Sequence, residues 1–145
     1  MSPEPTWLSP ALVSAIHGQL LAMYGGAPDA PDGARLEVAL ARPRQRHGDA
    51  SAQAGSNAGA AIFRLAAAHA FGVARDRPLP DGNERLALTL AGVFLELNGW
   101  RLEATEADAA TVTLALAAGE LDEGAYAMWL EEACVPQRPG APRGR

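Results

Sequence analysis

Lysine is missing from this 145-residue chain: all twelve basic residues are arginine. That absence removes Walker-type phosphate loops, Schiff-base chemistry and Ser-Lys catalysis together, since each needs an amine. One cysteine, Cys134, excludes an internal disulfide framework and any cysteine-based zinc cluster, and suits a reducing compartment. No stretch approaches the roughly 18 uninterrupted apolar residues of a membrane span. The opening MSPEPTWLSP has neither a basic nor an apolar signal region, so the expectation is a cytoplasmic protein. Net charge is −5, although the last eleven residues, VPQRPGAPRGR, carry three arginines and no acid. The rest is therefore more acidic still, which argues against a nucleic-acid partner, because neutralising phosphates needs a dense positive surface.

What is present reads as helices. Ser9 as N-cap and Pro10 at the first helical position open one that carries Val13, Ile16, Leu20 and Tyr24, and Gly25-Gly26 closes it. A short second helix is predicted over 34–41, with Leu36 and Leu40 on one side and Pro43 ending it. Residues 43–57 are small and polar without periodicity and read as a surface flap, a connection long enough to suggest function or disorder. An Ala-rich helix then runs from about 60 to 75. The next, over 83–97, is apolar nearly all round (Leu86, Leu88, Leu90, Val93, Phe94, Leu97), as befits a helix at the centre of a bundle. Asn98-Gly99 caps it. Thr105 with Asp108 starts a further helix that Gly119 stops, and the last begins near Asp122 with Tyr126, Trp129 and Leu130 on one face. The expected fold class is all-α, about six helices around a central buried one, with the domain over 1–134 and a disordered tail over 135–145.

Between the third and fourth helices lies RPLPDGNERLA, residues 77–87. A helix start offers unpaired N–H groups and the positive end of the helix dipole. Gly82 can take positive φ and lets backbone approach an anion. Arg85, one turn in, can fork onto phosphate oxygens. Asp81 is a hard oxygen ligand suited to Mg²⁺ between phosphates. The bland alternative is equally local: Asp-Gly is a turn dipeptide, and Asp81 or Asn83 can simply cap the helix.

The longer stretch ARDRPLPDGNERLALTLAGVFLELNGWRLEA resembles the signature of the Fic/Doc (Fido) superfamily, in its death-on-curing branch. That signature is a loop reading His-Pro-Phe-x-Asp-Gly-Asn-Lys-Arg-Thr-Ala before a buried helix ending in Asn-Gly. AIHGQLLAMYGG looks like the family's first helix, LEVALARP like its second and AAGELDEGAYAMWLEE like its end, so most of residues 7–132 are covered in order. The resemblance implies a Fido fold and transfer of a phosphoryl or adenylyl group from Mg²⁺-bound ATP to a hydroxyl of a protein target, such as a translation elongation factor. A toxin-antitoxin setting, with an antitoxin partner, goes with it. Carried over, Asp81 is the metal residue, Gly82 and Asn83 the phosphate nest and Arg85 the phosphate clamp, while the flap docks the target.

The match departs where the chemistry is done. The family's base histidine falls on Arg77, which stays protonated and cannot accept a proton. Its phenylalanine is Leu79, Pro80 stiffens the loop, and its lysine is Glu84, which repels an anion if turned inward. The expectation is therefore a Fic/Doc-type transferase by descent with weak or absent activity. The alternative is a non-catalytic pseudoenzyme that binds a nucleotide or a partner protein. Of the histidines, His69 reads as a structural side chain on the Ala-rich helix, His47 as a solvated flap residue that could swing in, and His17 as a surface residue. Arg42, Arg44 and Arg46 read as a solvated cluster beside the flap. Trp7, Trp100 and Trp129 read as packing anchors.

Overall fold

The computed structural model describes residues 5–25, 36–45, 58–79 and 82–137. Among them are six helices: α1 (Pro10–Tyr24), α2 (36–45), α3 (Ala58–Asp76), α4 (Asn83–Leu97), α5 (Glu106–Ala118) and α6 (Glu123–Ala133). Side-chain caps set three starts: Ser9 Oγ accepts from Leu12 N at 3.1 Å, Thr105 Oγ1 from Asp108 N at 3.0 Å and Asp122 Oδ1 from Ala125 N at 2.7 Å. Gly119, at φ 82, stops α5 in the left-handed conformation that a Cβ would strain.

The core is the α3–α4 pair. Small residues let the two helices close on each other: Ala66, Ala67, Ala70 and Val73 on α3 and Ala87, Leu90, Ala91 and Phe94 on α4 are all inaccessible to solvent. The central role expected of α4 holds, with a narrower buried face than its composition suggests, since Leu88 and Val93 are half-buried and Leu97 is exposed. Around the pair, Phe63 meets the edge of Trp100, Tyr126 packs on Trp129, and Trp7 lies over His69 and Phe94. Tyr126 is fully buried and its hydroxyl is bonded to Thr113 Oγ1 at 2.8 Å, so its polar end is satisfied. Burial pushes its pKa up to about 12.

Pro43 does not end the second helix, as its sequence position predicts; α2 runs through it to residue 45. A proline there removes one N–H and frees the carbonyl four residues back, on Ala39. Tertiary packing compensates, because Pro43 and Ala39 are both buried. Ala39's carbonyl faces Gly72 of α3 so closely that a Cβ at 72 would stand 2.8 Å from its oxygen. Gly72→Ala should therefore lower stability by about 1–3 kcal/mol through overpacking. That outweighs the roughly 1 kcal/mol that alanine normally gains over glycine in a helix. A urea midpoint at or above that of the native protein would contradict the close approach. The first three residues assigned to the flap are thus helical, and the rest, 46–57, lie outside the described residues, His47 and Arg46 among them.

Arg42 and Arg44 lie on a helix and not in a loop, Arg42 half-buried and Arg44 exposed. On α2, Arg42 Nη2 reaches Asp76 Oδ1 at 3.2 Å and its guanidinium lies over Phe71, while Arg44 stacks on Trp7 at 4.8 Å. Both brace α2 against α3 and the N-terminal segment.

The all-α architecture holds, with one small addition: two three-residue strands, β1 (Trp100–Leu102) and β2 (Cys134–Pro136), pair antiparallel with Arg101 opposite Val135. Gln137 continues the pairing, its N–H donating to Gly99 O at 2.9 Å and its side chain to the carbonyls of Glu96 and Trp100. Residues 135–137 therefore belong to the folded body rather than to a tail; 138–145 lie outside the described residues. None of the described helices is long and apolar enough to cross a membrane.

Candidate functional site

The loop between α3 and α4 is built by its prolines and its asparagine. Pro78 keeps the residue before it out of the right-handed helical region, so α3 stops at Asp76. Arg77 turns the chain at φ 50, the one non-glycine positive φ among the described residues, and its N–H still closes on Val73 O at 3.0 Å. Such a conformation costs about 1–3 kcal/mol and persists only where the surroundings enforce it. Here they do, because Pro78 and Leu79 are buried and Leu79 is held at both backbone atoms. Asn83 Oδ1 accepts from Leu79 N at 2.9 Å and Asn83 Nδ2 donates to Leu79 O at 3.1 Å. Asn83 is completely buried. Its side chain, expected in a phosphate nest, is thus committed to shaping the loop, and only its main-chain N–H remains at the helix start. Leu79, at the aromatic position of the resemblance, is a buried anchor of the same loop.

Pro80 and Asp81, the expected metal residue, lie outside the described residues. Gly82 follows at φ 78, ψ 16 as the N-cap of α4. A glycine cap has no side chain to satisfy the first-turn N–H groups, so they are left for other acceptors. Segment 82–85 is accordingly a helix start and not a hairpin turn.

Two side chains flank that start. Arg85 lies with its guanidinium 4.2 Å from the centre of the Tyr24 ring, at the C-terminal end of α1. Glu84 accepts from Arg77 Nη1 at 3.0 Å. Burial raises the Glu84 pKa, but the hydrogen bond from Arg77, one from its own main-chain N–H and the Arg77 charge together bring it below the ordinary value. Both Glu84 and Arg85 open onto a cleft of about 960 Å³ between α1, α4 and α5, walled by Leu20, Tyr24, Leu88 and Leu114, with Glu106 at the start of α5.

The two departures that read separately in the sequence, Arg77 and Glu84, are therefore one ion pair. Nothing in their spacing announces it, because it depends on the turn between them. Tyr24 was also missed as a site residue: its helical spacing marks it as core, yet it is half-exposed and carries Arg85.

His69 is 2% exposed, bonded through Nδ1 to Leu65 O at 2.9 Å and stacked on Phe94. Burial lowers its pKa to about 4; the bond to Leu65 opposes this and the nearby Arg44 charge adds to it. It is a core side chain, as its Ala-rich setting predicts. His17 is half-buried on α1. Cys134, pushed up to about 11 by burial, is a thiol at neutral pH.

A model of the Fic/DOC family matches residues 7–95, from the segment carrying Trp7 through α1, the loop and nearly all of α4. The chain is also 28% identical over 120 residues to "Protein kinase doc" of Escherichia phage P1, covering 83% of this chain and 89% of that protein. The helix-start loop, the buried helix behind it and the match across both point the same way: the chain belongs to the Fic/DOC family, in its death-on-curing branch.

Proposed function

We propose that this is a toxin-type, death-on-curing-like protein whose α4 start holds the phosphates of Mg²⁺-bound ATP, and whose transfer of a phosphoryl or adenylyl group to a protein hydroxyl is weak or absent. The reading rests on one observation above all: a left-handed glycine caps α4 with no capping side chain, and Gly82, Glu84 and Arg85 of that helix start line the cleft. Those amides and Arg85 supply donors in the geometry an oxyanion takes. Tyr24 holds the Arg85 guanidinium in place, which reduces the entropy lost when it binds. The apolar walls of the cleft suit a base and sugar. Asp81, next to Gly82 in the chain, is the residue that would hold the metal, whose charge would offset that of the phosphates. The likeness to a protein named as a kinase favours ATP as the donor.

Arg77 supports the second half of the proposal. A guanidinium donates and cannot accept the target hydroxyl's proton. With that step unassisted, transfer loses the roughly 10²–10⁴-fold that a positioned base contributes. The same pairing of Arg77 with Glu84 favours the second reading, a non-catalytic module that binds a nucleotide or a partner such as an antitoxin.

Calorimetry tests the pocket directly. Mg²⁺-ATP should bind, and Arg85→Ala should weaken it about 10- to 100-fold, the worth of a charge-assisted hydrogen bond or two. Absence of binding to the native protein, or binding indifferent to Arg85→Ala, would remove the nucleotide-site reading.

A further inference from the structure

Most of the polar side chains that line the cleft between α1, α4 and α5 are already engaged. Thr89 Oγ1 donates to Arg85 O at 2.8 Å, Thr113 Oγ1 is bonded to the Tyr126 hydroxyl at 2.8 Å, and Glu84 accepts from Arg77. Among the described residues, capacity is left on the Arg85 guanidinium, the Tyr24 hydroxyl and the Glu106 carboxylate. Arg85 can only donate, and Glu106, ionised, can only accept. An acid at a helix start ordinarily does no more than complement the dipole. In α5 that need is met without Glu106, because Asp108 also stands in the first turn and Thr105 supplies the cap.

A carboxylate here is unfavourable for a bare polyphosphate, since it repels every negative charge that enters the same cleft. It suits a ligand that joins its anion to hydroxyl donors. Two vicinal hydroxyls can donate to the two oxygens of one carboxylate, and an acidic side chain reads a ribose in this way in dinucleotide-binding folds. Ala107 and Ala110 stand beside Glu106 on the cleft wall with only methyl groups, which leaves room for a sugar next to it.

We infer that Glu106 determines specificity for the sugar: its carboxylate accepts from the 2′- and 3′-hydroxyls of a nucleotide whose phosphates lie at the start of α4. The cleft then selects ribonucleoside polyphosphates over deoxyribonucleoside and inorganic ones. The inference rests on the nucleotide-site reading above and adds the sugar to it.

Calorimetry with Mg²⁺-ATP, its 2′-deoxy and 3′-deoxy analogues and inorganic tripolyphosphate tests this, with circular dichroism to confirm that each variant folds. The native protein should bind ATP about tenfold more tightly than either deoxy analogue, the scale of one hydrogen bond to a charged group. Glu106→Gln keeps the side chain's shape and removes its charge. It should bring ATP to within about threefold of the deoxy analogues, as expected when that bond loses its charge assistance. Tripolyphosphate, relieved of a like charge, should bind the same variant at least as tightly as it binds the native protein. A role confined to the helix dipole would move all the ligands together or none of them. Repulsion alone would tighten ATP and tripolyphosphate alike. Either result overturns the assignment, as does a native protein indifferent to the sugar. If no ligand binds the native protein, or Arg85→Ala leaves every affinity unchanged, the nucleotide site falls and the role of Glu106 with it. If binding depends on Arg85 but does not distinguish the sugars, the site stands and only the role of Glu106 is lost.

Discussion

Replacing Arg77 with His and Glu84 with Lys together is expected to raise transfer from ATP to a protein hydroxyl by about 10²–10⁴-fold, the usual contribution of a positioned general base. The exchange changes both members of one ion pair, so no unpartnered Glu84 carboxylate is left facing the phosphates. The backbone favours it as well. Position 77 sits at φ 50, and histidine is among the side chains that visit that region more readily than most. The pocket formed by buried Pro78, Leu79 and Asn83 is untouched, so the loop keeps its shape. The measurement is label incorporated into a purified translation elongation factor from γ-labelled and, in parallel, α-labelled ATP. The γ label entering reports phosphoryl transfer and the α label adenylyl transfer. Robust labelling by the native protein would refute the impaired-site proposal, whereas a double variant as inert as the native one would show that more than the base is missing.

The second large effect concerns stability. Acidification from pH 7 to about pH 4 should remove about 3 kcal/mol of folding stability through His69 alone. The ordinary histidine pKa of 6.5 applies to the unfolded chain, and burial lowers it to about 4 in the fold. Between those values the unfolded state binds the extra proton, so stability falls as pH falls, by about 1.4 kcal/mol per unit. Above 6.5 both states are neutral and the group has no pH effect. The ring packs against Phe94 and Trp7, which also meet each other, and Arg44 stacks on Trp7, so a charge formed at 69 would meet two aromatic rings and a cation nearby. Urea titrations of the native protein and of His69→Phe at pH 7 and pH 4.5 isolate the contribution. Carboxylates elsewhere give both proteins a common slope, and only the difference belongs to His69. Equal slopes would place a polar partner or water beside the ring.

Much of the scaffold was legible because local signals agreed with the tertiary outcome. α4 begins at Asn83 and ends at Leu97, as the apolar run and the Asn98-Gly99 stop predict, and Ser9, Thr105 and Asp122 cap the helices they precede. Pro43 misled because its local penalty is overridden by contacts with α3, which no neighbouring residue discloses. The strands were invisible for a similar reason. Three-residue segments have no usable period, and β1 and β2 exist only because the chain returns past α4 to pair with itself. At the site, the resemblance drew attention to the right loop and the residues supplied its physics. What neither could supply was side-chain partnership: Asn83 with Leu79, Arg77 with Glu84, and Arg85 with Tyr24.

Asn83 has a counterpart at the other end of the same helix. Asn98 accepts from Thr6 N at 2.8 Å and donates to Thr6 O at 3.0 Å, the same two-sided amide clasp that Asn83 makes with Leu79. A helix riveted at both tips to different stretches of chain cannot slide lengthwise without breaking four bonds at once. The cleft therefore has along one side a helix clasped at both ends, by the loop that precedes it and by the segment that leads into α1.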